Sequence, residues 1–229
     1  MTGILYGVGI GPGDPELLTL KAVRLIRENA VIGVPGEEPR ETVAYKIAVQ
    51  AVPELAQKEL LALHMPMTKD PAILEENHNR CADKVEAYLK KGENVVFLTL
   101  GDPTVYSTYL YVHKKIFERG YEAQIVSGVP SFCAVAARLG MGLVEKAEPL
   151  HVIPASYQIE DALKLPAAKV LMNAGKKMGA VKEQLQKPGC SAVMIENCGM
   201  PGERIYRTAE EIPEDAGYYS LIIVKEEAE

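Results

Sequence analysis

Tyr6-Gly7-Val8-Gly9-Ile10-Gly11-Pro12-Gly13-Asp14-Pro15 decides how the rest of the chain is read. Before it, Ile4 and Leu5 begin an apolar run, and after it Leu17, Leu18, Leu20, Ala22, Val23, Leu25 and Ile26 recur at helical spacing. Strand, glycine loop and helix in that order open an α/β domain that binds its ligand at the carboxyl end of the strand. The dinucleotide fingerprint G-x-G-x-x-G fails here in every register, because its last position falls on Pro12 from Gly7 and on Asp14 from Gly9. Pro12 and Pro15 also remove two backbone donors that a pyrophosphate cradle would use. The loop is therefore expected to let a ligand approach closely, but not a nucleotide phosphate.

The composition narrows the classes. With 229 residues the chain can bury a full core in one large or two small domains. No apolar run reaches the ~18 residues of a membrane span, and the first residues lack the basic and apolar regions of a signal peptide. A cytoplasmic protein is expected. A net charge of −6 without a basic stripe argues against nucleic acid as a partner. Cys81, Cys133, Cys190 and Cys198 form no C-x-x-C pair and have no histidine at zinc spacing, so they read as free thiols in a reducing compartment, and no metal site is expected.

Further along, strands are predicted at 30–34, 60–67, 95–100 and 123–126, with helices at 42–52, 70–91, 106–119 and 132–139. Three strand ends carry clusters of glycine, proline and polar residues, at 11–15, 101–104 and 127–131. In a parallel sheet such ends fall on one edge, where ligands sit. After a linker at 144–149 the pattern changes to five strands, at 150–153, 169–172, 191–195, 203–207 and 218–225, with helices at 158–165 and 176–187. Between 195 and 204 there is no room for a helix, so this second sheet is mixed. The expected architecture is two α/β domains, residues 1–145 with a parallel sheet and 146–229 with a mixed sheet, and a ligand cleft between them.

At the level of motifs the chain resembles a known family. Gly7-x-Gly9-x-Gly11-Pro12-Gly13-Asp14 with Leu17-Leu18-Thr19-Leu20-Lys21, then Leu100-Gly101-Asp102-Pro103, then Ser127-Gly128-Val129-Pro130-Ser131 are similar to the three signatures of the tetrapyrrole methylases. These are S-adenosylmethionine-dependent enzymes of cobalamin and sirohaem synthesis, and the resemblance covers the whole chain. Thr99 to Tyr109 together with Pro130-Ser131-Phe132-Cys133-Ala134 resembles the precorrin-2 / cobalt-factor II C-20 methyltransferases within it. The chain departs from the family pattern at Ser127 to Pro130, where Pro-Gly-Val-Ser/Thr is usual, so a hydroxyl contact would move to Ser131.

The resemblance implies S-adenosylmethionine as methyl donor. It implies that Pro12 lines the donor pocket, that Leu100, Gly101, Asp102 and Val105 wrap the methionine part, and that Ser131 and Phe132 close the same side. It assigns adenine and ribose to strand ends of the second domain, at Met172-Asn173-Ala174 and at Glu196-Asn197-Cys198. The substrate would be a tetrapyrrole, and the assembly a homodimer. Asp102 before Pro103 would equally serve as a helix N-cap; the ligand role is put ahead. Tyr106, Tyr109 and His113 fall at i, i+3 and i+7, and the two tyrosines are candidate substrate contacts on one helical face, with core packing as the alternative.

Methyl transfer from a sulfonium to an electron-rich ring carbon is an in-line displacement that requires no enzymatic nucleophile, so no catalytic side chain is assigned. Alignment at ~3 Å carries the rate, and the absence of a Ser-His-Asp set or of paired acids agrees with that. The substrate's carboxylates call for cations, for which Arg40, Arg80, Lys176 and Lys177 are candidates beside their reading as solvated surface charges. His64, flanked by Met65 and Met67, would either face a bound cobalt or simply end a strand. Two rival readings stand beside C-20 methylation: a relative acting at C-11 or C-17, and a tetrapyrrole carrier without activity.

Overall fold

A computed structural model describes residues 2–154, 159–173, 178–185 and 190–226. The chain forms two compact units, Met1–Pro130 and Ser131–Glu229. The first contains β1 (Ile4–Gly9), α1 (Leu20–Glu28), β2 (Val31–Pro35), α2 (Val43–Ala51), β3 (Glu59–Leu63), α3 (Pro71–Leu89), β4 (Val95–Thr99), α4 (Tyr109–Glu118) and β5 (Glu122–Val126). The helix starts are those the sequence signals. Thr19 accepts a hydrogen bond from Ala22 N, Thr42 from Tyr45 N, and Asp70 from Ala72 N with Pro71 in the first turn.

The five strands run parallel in the order β3-β2-β4-β1-β5. After β1 the chain crosses to β2 on one side, and after β4 it crosses to β5 on the other. The sheet therefore reverses its winding between β4 and β1, which is where open α/β sheets hold ligands beyond the carboxyl ends of the strands. Under this edge lies a close-packed core: Leu5, Val95, Phe97, Val85, Leu89, Tyr109, Val112 and Ile116 are all fully buried. Tyr109 reaches across β1 at Gly7, where a β-carbon would overlap its ring, and meets Phe97 edge-on with centroids 5.5 Å apart. Its hydroxyl donates to the Gln124 carbonyl at 2.8 Å and lies 3.0 Å from His113 Nδ1.

The second unit holds α5 (Ser131–Leu139), β6 (Leu150–Pro154), α6 (Ile159–Leu163), β7 (Ala168–Met172), α7 (Met178–Leu185), β8 (Cys190–Glu196), β9 (Arg204–Tyr206) and β10 (Ser220–Glu226). Its sheet is mixed, in the order β6-β7-β10-β8-β9: β6 and β7 are parallel and the other neighbours antiparallel. The strands alternate strictly. Leu171, Met194, Ile222 and Val224 face the α7 side, while Val170, Ile195, Leu221 and Ile223 pack with Val135 and Ala136 of α5 on the other.

Three elements differ from the sequence reading. The helix expected from residue 106 starts at Tyr109, because Tyr106 has φ of +49° and Ser107 Oγ instead accepts from Tyr109 N. The strand expected through residue 67 ends at Leu63, before His-Met-Pro-Met. The first unit ends at Pro130 rather than near 145, because α5 buries its apolar face in the core of the second sheet. Among the described residues no helix is long and apolar enough to cross a membrane.

Adding a methyl group at Gly7 should overpack the Tyr109 contact. Gly7→Ala is expected to cost ~1–3 kcal/mol of stability, and adding Tyr109→Leu should recover part of that loss. Denaturant unfolding of the two variants beside wild type checks both values.

Candidate functional site

The three glycine-bearing loops after β4, β1 and β5 are adjacent because those strands are neighbours in the sheet. They are also locked to one another. Gly101 N donates to the Gly11 carbonyl at 2.9 Å and Gly11 N returns a bond to the Gly101 carbonyl at 3.4 Å, while Ile10 N donates to the Thr99 carbonyl at 3.0 Å. A β-carbon on Gly9 would lie 2.6 Å from the Gly101 carbonyl oxygen and 2.7 Å from Gly128 N. One on Gly128 would lie 2.8 Å from Gly9 Cα and overlap the Gly101 carbonyl. Real β-carbons do not approach backbone so closely. At these two glycines backbone packs on backbone, a role that the ligand-approach reading of the first loop did not include.

Asp102 is the polar half of the lock. Its side chain is buried, with 8% of its surface exposed. Oδ1 accepts from Thr104 N at 2.8 Å and from Thr104 Oγ1 at 2.5 Å, and Oδ2 accepts from Gly128 N at 3.0 Å. Burial pushes its pKa up, but the bonds from the Thr104 side chain and backbone, Gly128 N and the Ser127 side chain together hold it below the usual carboxylate value. The carboxylate thus fixes its own turn and ties it to the loop after β5. Both oxygens have protein partners, so holding the loops comes before any ligand contact. Behind the turn, Thr99 Oγ1 and Ser107 Oγ are 2.9 Å apart in the core and return the chain to α4.

Pro12, Leu100 and Val105 are half-buried on these loops and Gly101 is buried. Tyr106 is 61% exposed on its left-handed backbone. Tyr109 is fully buried. Its expected role as a substrate contact is corrected: it is a core residue, because it fills the space that Gly7 leaves. Tyr106, Tyr109 and His113 do not share a helical face, since Tyr106 precedes the helix. No lysine or arginine occurs in 6–15, 99–109 or 126–131, and Asp14 and Asp102 are the charged side chains there. A sulfonium ligand suits that charge; a phosphate does not.

In the second unit the expected residues share one sheet edge. Asn173 follows β7 and Asn197 follows β8, and both flank the start of β10. Asn173 N donates to the Ser220 carbonyl at 3.2 Å and Asn197 N to the Tyr219 carbonyl at 2.9 Å. Both asparagines are left-handed, with φ of +59° and +54°, a backbone that asparagine tolerates better than most residues. Met172 and Cys198 are half-buried beside them. Ser131 opens α5, and Phe132 packs against the cluster around Val135 and Leu221. Ala174, Lys176 and Lys177 lie outside the described residues. Thr104 was missed by the sequence reading, although a hydroxyl directly after an Asp-Pro pair, two residues on from the Asp, is an Asx-turn signal.

A parallel α/β unit with a cation-free glycine edge, joined to a mixed α/β unit, defines the class. The sequence profile of the Tetrapyrrole (Corrin/Porphyrin) Methylases matches residues 4–213. A probable cobalt-precorrin-2 C(20)-methyltransferase of Methanocaldococcus jannaschii is 36% identical over 79% of this chain and 77% of its own length. The cobalt-precorrin-2 C(20)-methyltransferase of Salmonella typhimurium is 32% identical over 100% of this chain and 99% of its own. A solved uroporphyrin-III C-methyl transferase of Thermus thermophilus, complexed with S-adenyl homocysteine, has the same fold at a TM-score of 0.73, with 23% identity over 97% of both chains. The chain belongs to the tetrapyrrole methylase family.

Replacing Asp102 by Asn puts an amide NH2 against either Thr104 or Gly128, each of which offers an N–H. Asp102→Asn should therefore lower stability by ~1–3 kcal/mol, the cost of a buried unmatched donor. Because the folded pKa of Asp102 is depressed, its contribution is complete above the unfolded pKa and is lost as pH falls through the folded one. The stability difference between wild type and Asp102→Ala should accordingly be largest at neutral pH and narrow as pH falls below about 4.

Proposed function

We propose that this protein transfers the methyl group of S-adenosylmethionine to C-20 of precorrin-2 or cobalt-factor II, in the construction of the corrin ring. The reading is carried by the two C(20)-methyltransferase relatives, at 36% and 32% identity over most of the chain. It is supported by the charge of the glycine edge, which offers carboxylate and backbone but no lysine or arginine. The donor supplies an electrophilic methyl on a sulfonium, and the ring carbon supplies the electron pair for the new bond.

The protein's own contribution is then positional. The interlocked loops of the first unit form a rigid wall, with Pro12, Leu100, Gly101 and Val105 against the methionine part and Asp102 fixing their spacing. From the second unit, Ser131, Phe132, Met172, Asn173, Ala174 and Cys198 are assigned to the same ligand, the asparagine and its neighbours serving adenine and ribose. Tyr106 is retained as a substrate contact, since its ring is exposed. Rigid walls hold the reacting atoms in line, which alone can supply several kcal/mol of the barrier. No side chain is given a proton-transfer role. The reading includes a cytoplasmic homodimer, which light scattering tests.

Incubation with labelled S-adenosylmethionine and each of precorrin-2 and cobalt-factor II should put the label at C-20 by NMR with the true substrate; label at another ring carbon overturns the assignment. In single turnover at saturating donor, His113→Ala and Cys133→Ala should each stay within about tenfold of wild type. A general acid or base would cost 10²–10⁴-fold.

A further inference from the structure

Two strands away from the glycine loops, the same carboxyl edge of the first sheet carries a concavity. It has a volume of about 230 Å³ and is lined by Gly36, Glu37, Ala62, His64, Arg80, Cys81 and Lys84. The frame is fixed: Gly36 N donates to the Leu63 carbonyl at 2.9 Å, joining the ends of β2 and β3, and Cys81 Sγ of α3 donates to the His64 carbonyl at 3.3 Å. Into it project two cations from one face of α3, at i and i+4. Arg80 Nη2 donates to Asn77 Oδ1 at 2.7 Å and Lys84 Nζ to the Ala62 carbonyl at 2.9 Å. A guanidinium has five N–H donors and an ammonium three, so both retain donors beyond these bonds. The lining's one carboxylate, Glu37, lies 3.3 Å from His64 Nδ1.

A pocket whose lining carries Arg80 and Lys84 against one carboxylate, in a chain of net charge −6, favours an anion. Neighbouring strands are ~4.8 Å apart, so β3 lies ~10 Å from β4 along the edge. A ligand bound at the β4 loop reaches this pocket only if it is broad and carries its negative charge on its periphery. Resting on the function proposed above, we propose that this pocket is a carboxylate subsite for the tetrapyrrole, in which Arg80 and Lys84 hold an acidic side chain of the macrocycle and Glu37 limits how tightly it is held.

Two variants test this in opposite directions. Arg80→Gln/Lys84→Met should raise the KM for precorrin-2 roughly tenfold at low salt, the loss of a charged hydrogen bond, with kcat and the Kd for S-adenosylhomocysteine within about twofold of wild type. Added salt should shrink the difference. Glu37→Gln should lower that KM by a few-fold, a gain that a damaged fold does not produce. Equilibrium binding of precorrin-2 with S-adenosylhomocysteine present separates this subsite from the reaction. If wild type binds precorrin-2 but methylates nothing, and the variants shift that Kd as stated, the subsite stands and the C-20 reading fails. Unchanged precorrin-2 affinity in the cation variant overturns the subsite. So does a parallel loss of S-adenosylhomocysteine binding with no gain in Glu37→Gln.

Discussion

The structure of the first unit depends on one steric contact: the backbones of Gly9, Gly101 and Gly128 touching where a β-carbon at Gly9 or Gly128 would not fit. Three loops that would otherwise move separately become one wall. Around that contact are the Gly11–Gly101 bridge and the Asp102 carboxylate, which ties the β4 loop to the β5 loop through Gly128 N. The order β4-β1-β5 is what makes the contact possible, since only neighbouring parallel strands deliver their ends to the same few ångströms.

A reaction that needs no enzymatic nucleophile asks for rigidity at this point. Effective alignment requires reacting atoms within ~3–3.5 Å, and a wall of backbone locked by steric and hydrogen-bond constraints holds such a distance better than long side chains do. The loops' lack of lysine and arginine keeps positive charge away from a cationic donor. Cations instead collect two strands off, at Arg80 and Lys84, where an anionic substrate can be held without opposing the donor. The separation of charge along one sheet edge is thus matched to a positive and a negative reactant.

Much of this was legible in the residues. Strand–loop–helix order, the parallel sheet and the mixed second sheet follow from periodicity and spacing, and the helix starts at Thr19, Thr42 and Asp70 follow from cap chemistry. The glycine motifs marked the loops that the structure brings together, but not what the glycines do there. Spacing alone cannot tell a glycine that admits a ligand from one that admits another loop, because the partner at residue 128 is over a hundred positions away. Tyr109 misled for a related reason: its i, i+3 relation to Tyr106 holds only if both are helical, and the left-handed backbone at Tyr106 breaks it. The Arg80–Lys84 pocket was only half visible, since β2 and β3 must be side by side before His64 and α3 face the same space. Asn173 and Asn197 both take left-handed backbone after their strands, a short-range property that asparagine tolerates and that the sequence reading did not draw.

Central to this account is that the Gly9–Gly101–Gly128 contact shapes the wall on which the methyl donor lies. The most direct measurement is calorimetric titration of Gly128→Ala with S-adenosylhomocysteine. The account predicts a Kd weakened at least about tenfold, a loss of ~1.4 kcal/mol, in a protein whose secondary structure by circular dichroism remains that of wild type. Wild-type affinity in that variant would contradict it, because the three loops would then not need to touch for the donor to bind.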